Sequence, residues 1–167
     1  MENQIIGQTL GILATVLTFV SYQVNKKRPL LIIQTLATIS TCLSFLFLDA
    51  STGFALNIVC IVRNITYYFV ERNSKLYYPS TALITIAMVI LGIFSWQGPI
   101  SLLMIMALAI NTVILSLGRP QILRQSILVT STMVIIYNIS MFSIGGIANE
   151  AIAIISSVIG IIRYSRS

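Results

Sequence analysis

Between residues 5 and 163 the chain is a succession of apolar stretches, at 5–23, 30–48, 52–70, 78–95, 99–117, 120–141 and 145–163, with two to seven residues separating neighbours. A helix needs about 20 mostly apolar residues to cross the hydrocarbon core of a bilayer. Backbone N–H and C=O groups find no water there, so each crossing segment must satisfy its own, as a helix does. The pattern predicts an all-α integral membrane protein with seven transmembrane helices. Composition agrees: 8% of residues are charged and 57% hydrophobic, against roughly 25% charged in soluble domains. High hydrophobicity with nine Gly and two Cys excludes disordered, collagen-like and disulfide-framework chains.

Turn-forming residues fall between the stretches. Pro29, Pro79, Pro99 and Pro120 stand at or beside the starts of segments two, four, five and six. Proline suits a first helical turn because its missing N–H would be unpaired there anyway. Gly53, Gly145 and Gly146 mark the turns entering segments three and seven. The lead-in Met1-Glu2-Asn3-Gln4 lacks the basic character of a secretory signal.

The basic residues predict an orientation. Lys26, Lys27, Arg28, Arg72, Lys75, Arg119, Arg124, Arg163 and Arg166 fall on one side of a seven-helix path, which is nine of the ten. The tenth, Arg63, lies inside segment three. Basic residues collect on the cytoplasmic side, so the N-terminus is expected outside and the C-terminus in the cytoplasm. Tyr22, Tyr67, Tyr68, Tyr77, Tyr78 and Tyr164 gather near the inner interface and Trp96 near the outer one, as in an aromatic belt. The net charge of +6 is then a topology signal, and no basic patch for nucleic acid is expected. Cys42 and Cys60 read as small apolar fillers without disulfide or metal spacing.

Segments three and seven align without gaps at an offset of 93, which lays the stripe Asn57, Cys60, Asn64 over Glu150, Ala153, Ser157. A rival offset of 100 lays Ile61-Val62-Arg63 over Ile161-Ile162-Arg163. Both registers pair the same two segments. The chain then reads as two parallel three-helix repeats, 5–70 and 99–163, joined by a linking helix at 78–95. This 3+1+3 order resembles the SWEET and PQ-loop transporters, of which a Pro-Gln pair is a hallmark. Pro120-Gln121 keeps that pair, while the first repeat has Tyr22-Gln23.

A second resemblance rests on Leu102-Leu103, Thr112, Arg124, Asn138, the run Ser143-Ile144-Gly145-Gly146, Glu150 and Ile161-Ile162-Arg163, with Gln8, Gly11, Gln34 and Arg63 in the first half. In these the chain is similar to the YgjV family of small bacterial inner-membrane proteins. The resemblance implies a multi-pass protein of the bacterial cytoplasmic membrane with a PQ-loop-like fold. It implies no activity.

Ionisable residues at bilayer depth are costly and are functional candidates by default. Glu150 and Arg63 are the two here, and a water-filled cavity between the repeats would let them compensate each other. Asn57, Asn64, Asn111 and Asn138 carry amides that need partners. Together with Arg63 and Glu150 they form the expected substrate-binding set. Further stripes run along Gln8, Gly11, Thr15, Thr18 and Tyr22, along Gln34, Thr38 and Thr41, and along Ser126, Thr130, Met133 and Tyr137. Small and hydroxylated residues of that kind also serve close helix packing.

The sequence thus points to a small permease-like carrier of an unidentified polar solute in the lipid bilayer. The alternative is a non-transporting scaffold or accessory protein. With no His, four carboxylates, no metal cluster and no nucleophile elbow, no catalytic residue, cofactor or metal is expected. A homo-oligomer is compatible with the sequence.

Overall fold

Each apolar stretch is a helix in the computed structural model, which describes residues 2–22, 27–117 and 119–165. Gln23, Lys26 and Arg166 lie outside the described residues, as do the side chains of Tyr22, Lys27, Pro120, Arg163 and Tyr164. The elements are α1 (Glu2–Tyr22), α2 (Lys27–Phe47), α3 (Ser51–Phe69), α4 (Tyr77–Phe94), α5 (Ser101–Leu117), α6 (Pro120–Ser140) and α7 (Ile144–Ser165). Every boundary lies within three residues of the one read from the sequence. No strand occurs among the described residues.

Helices α1, α2, α4, α6 and α7 are long and apolar enough to cross a membrane on their own account. α5 is apolar but has only 17 residues. α3 is not among the five; it carries Asn57, Arg63 and Asn64, which face inward. Large side chains cover the outside, with Leu83 70%, Phe69 76% and Phe94 84% exposed. Such a surface has hydrocarbon, not water, as its solvent.

The helices close into a ring. α1 packs on α2, α2 on α3, α3 on α5, α5 on α6, α6 on α7 and α7 on α1, while α4 lies against α3 and α5. A buried cluster with Phe45, Leu56, Met88, Met104 and Tyr137 knits α2 to α6. At the opposite end of α3, Tyr67 and Tyr77 are buried and stacked at 5.1 Å, and the Tyr67 hydroxyl lies 2.9 Å from Thr81 Oγ1. These two rings pack α3 on α4 and are not part of a lipid-facing belt; Tyr78 remains exposed.

The α2–α3 and α6–α7 turns have the same construction. In the first, the N–H groups of Leu48, Asp49, Ala50 and Phe54 donate to the carbonyls of Ser44, Leu46, Phe45 and Ala50. In the second, those of Met141, Phe142, Ser143 and Ile147 donate to Tyr137, Ile139, Asn138 and Ser143. Every donor and acceptor is displaced by 93 residues. Asp49 and Phe142 both take the left-handed conformation, at φ 55° and 53°. The bonds and the left-handed residue make a Schellman-type helix end.

A glutamine from elsewhere in the chain clamps each turn. Gln8 Nε2 donates to the Phe142 carbonyl, and Gln8 Oε1 accepts from the Ile144 N–H at 3.0 Å. Gln97, just ahead of α5, donates through Nε2 to the Asp49 carbonyl at 2.7 Å and accepts from the Thr52 N–H at 3.1 Å. Packing beyond the turns repeats as well. Gly53 lies against the Phe45 ring and Gly146 against the Asn138 amide, again 93 residues apart.

Candidate functional site

A cavity of about 290 Å³ lies inside the ring, and Asn57, Arg63, Asn64, Asn111, Asn138 and Glu150 all line it. All six residues expected to form a binding set therefore share one space. α3 contributes the first three, α5 Asn111, α6 Asn138 and α7 Glu150. The α2 stripe Gln34, Thr38 and Thr41 joins them.

Arg63 is held by neutral groups. Its Nε and Nη2 donate to Asn64 Oδ1 at 3.3 and 3.1 Å, and its Nη1 donates to Thr112 Oγ1 at 3.1 Å. Arg63 and Asn64 are about 100° apart around the helix, yet both reach the cavity because the long guanidinium arm folds back onto its neighbour. Asn64 Nδ2 continues the chain to Thr38 Oγ1 at 3.4 Å. Asn57 is tied to its own helix, donating to the Gly53 carbonyl at 2.8 Å.

Glu150 also has neutral partners, Asn149 Nδ2 at 3.4 Å and the Ser131 hydroxyl. No ion pair joins it to Arg63, whose bonds run elsewhere. Arg63 stands about 18 Å along α3 and Glu150 about 9 Å along α7, at ~1.5 Å rise per residue. Two acceptors beside Glu150, Asn138 Oδ1 and Asn149 Oδ1, are buried with no hydrogen-bond partner in the protein. A buried acceptor left so costs roughly 1–3 kcal/mol; both oxygens are enclosed by the protein, Asn138 Oδ1 against Gly146.

The α1 stripe divides between two roles. Gly11 meets Gly145, and Thr15 Oγ1 donates to the Gly11 and Gly145 carbonyls at 3.0 and 2.9 Å. These residues and Gln8 pack α1 on α7, with Gly11 and Gly145 also at the cavity wall, and Thr18 lines the cavity further along the helix. On α6, Ser126 and Thr130 bond to their own helix, and the Tyr137 hydroxyl accepts the Gly53 N–H at 2.8 Å. In the aligned stripes Asn57, Cys60, Asn64 and Glu150 line the cavity, while Ala153 and Ser157 are buried in packing. Cys42 and Cys60 are buried and free.

Thr112, Ser131 and Asn149 are the site residues that the expected set omits. Thr112 and Ser131 are short hydroxyls that look like packing residues in sequence and acquire a role only through the charge they touch. Asn149 had a visible signal, an amide beside the one carboxylate in a hydrophobic segment.

A sequence model of a family of bacterial inner membrane proteins, Imp-YgjV, matches residues 5–167. The chain belongs to the YgjV family. It is a multi-pass protein of the bacterial inner membrane. No curated protein and no solved structure matches it. Several residues that carry the YgjV resemblance are in mutual contact: Gln8 with Ile144, Gly11 with Gly145, Asn138 with Gly146, Arg63 with Thr112. In the run Ser143-Ile144-Gly145-Gly146, Ser143 Oγ accepts the Gly146 N–H at 3.2 Å, and the two glycines admit α1 and the Asn138 amide.

Proposed function

We propose that this YgjV-family protein is a small permease-like carrier that binds a polar solute between two parallel three-helix repeats, 5–70 and 99–163, joined by helix 78–95. The observation that carries the reading is the cavity, where two opposite charges and six amides line one space inside a ring whose outer face is apolar. Support for the repeats comes from the 93-residue relation between the two turns, from the paired glutamine clamps and from the ring order. A two-fold axis along the membrane normal would exchange α1–α2–α3 with α5–α6–α7 and the α3·α5 seam with the α7·α1 seam. That is the parallel-repeat, PQ-loop-like organisation in which a central site alternates access as one half rocks on the other. Charge placement supports an outside N-terminus and a cytoplasmic C-terminus. No catalytic step, cofactor or metal enters the reading.

Uptake by proteoliposomes containing the full chain, with a panel of labelled polar metabolites, tests it. Specific uptake that falls with Glu150→Gln or Arg63→Gln is expected; no specific uptake favours a scaffold. The scaffold reading draws on the tight α1–α7 packing of Gly11, Thr15 and Gly145. Orientation is tested by an impermeant thiol reagent on Ser74→Cys and Gln97→Cys in a background lacking Cys42 and Cys60. Ser74→Cys should label only from the cytoplasmic side, and Gln97→Cys only from outside.

A further inference from the structure

The cavity is built on a near-symmetric frame, and its polar groups are the places where the symmetry fails. By the 93-residue relation Asn57 corresponds to Glu150, Phe45 to Asn138 and Arg63 to Ser156. An amide in one half is a carboxylate in the other, a phenyl ring is an amide, and a hydroxyl is a guanidinium. Phe45 fills its position against Gly53, so packing on the matching Gly146 does not require the polar Asn138. Asn138 is nonetheless 1% exposed, lines the cavity and keeps Oδ1 without a partner.

These departures sort by charge. At one end stands Glu150, held by Asn149 Nδ2 and the Ser131 hydroxyl. An ammonium group has three donors, and the Glu150 carboxylate keeps acceptor positions beyond those two bonds. Toward the other end, Arg63 spends three N–H donors on Asn64 and Thr112. Of the five donors on a guanidinium, two remain. The two charges are offset by about 9 Å along the helices at ~1.5 Å per residue, which leaves room between them for a solute.

We propose that the cavity is a binding site for a small zwitterion, with its ammonium at Glu150 and its carboxylate at Arg63. The assignment rests on the carrier reading of the same cavity and names its substrate class. A neutral solute leaves both protein charges with neutral partners only, and a singly charged one leaves one of them so. A zwitterion answers both, and its zero net charge spares the cost of carrying a charge to bilayer depth. The volume of about 290 Å³ is near the lower end of small-molecule pockets, roughly 300–1,000 Å³, and suits a solute of amino-acid size.

Titration calorimetry of the purified full chain in detergent tests this with matched probes. L-alanine, β-alanine and γ-aminobutyrate are the zwitterions; propylamine, propionate and lactamide are the amine-only, carboxylate-only and neutral controls. At least one zwitterion should bind at least tenfold more tightly than every control. Glu150→Gln and Arg63→Gln should each weaken it at least tenfold, and Arg63→Lys should keep the preference. Binding is compared among variants that keep the parent's melting midpoint, and the probe series decides on the unmodified protein if none does. A control that binds as well as the zwitterions, or no zwitterion binding, overturns the proposal. Proteoliposome uptake separates it from the carrier reading. Uptake of a neutral or singly charged solute alone sinks the zwitterion and keeps the carrier; zwitterion binding without uptake does the reverse.

Discussion

Gly11 of α1 and Gly145 of α7 meet backbone to backbone, so that a Cβ built at Gly145 would lie 2.5 Å from the Gly11 Cα. A Cβ on Gly11 would lie 3.2 Å from the Gly145 Cα, a contact that a small shift relieves. Gly145→Ala should therefore lower the melting midpoint in detergent clearly more than Gly11→Ala. Overpacking of this kind costs about 1–3 kcal/mol. Equal midpoints would show that the two helices separate without cost.

The left-handed residues at the two turns give an opposite prediction. Phe142 at φ 53° and Asp49 at φ 55° occupy a region that glycine enters freely. A bulky side chain there costs about 1–2 kcal/mol, and aspartate less because its short polar side chain bonds locally. Phe142→Gly and Asp49→Gly should both raise the melting midpoint, Phe142→Gly more. Phe142→Val should lower it.

Gln8 and Gln97 each satisfy two backbone groups at a helix junction. Gln8→Ala and Gln97→Ala should each destabilise by about 1–2 kcal/mol, since a net hydrogen bond is worth roughly 1 kcal/mol. Substitution by Glu, which cannot donate to the Phe142 or Asp49 carbonyl, should be no better than Ala. Denaturation midpoints of the four variants read this directly.

Arg63 and Glu150 share a cavity without an ion pair between them, and they are the two charged residues of its lining. Neutralising one leaves the other charge alone at bilayer depth. Arg63→Gln and Glu150→Gln should each lower stability more than the double variant does. A double-mutant cycle measures the coupling, and additive effects would mean that the charges act independently.

The extent of the helices was legible because bilayer thickness, proline placement and apolar length are written in side chains. Pro29 and Pro79 fall in the first turns of α2 and α4, Pro120 begins α6, and Pro99 stands two residues ahead of α5. The register between α3 and α7 was left at two offsets, 93 and 100, with no choice between them in the sequence. It is set by backbone hydrogen bonds and by two left-handed residues that are Asp in one turn and Phe in the other. Glycine at both would have announced it. The cavity set was legible because amides and charges are costly in hydrocarbon wherever they stand. Which polar stripe packs and which faces the cavity was hidden, since Thr15 and Thr18 look alike until the position of Gly145 is known.

The ring is a split one. Short connections bind α1 to α2, α2 to α3, α5 to α6 and α6 to α7, and α4 straps α3 to α5. Among the described residues no connection runs from α7 back to α1. Along that edge only non-covalent contacts stand between the cavity and the surrounding lipid: the Gly11–Gly145 contact, the Thr15 hydroxyl and the Gln8 clamp.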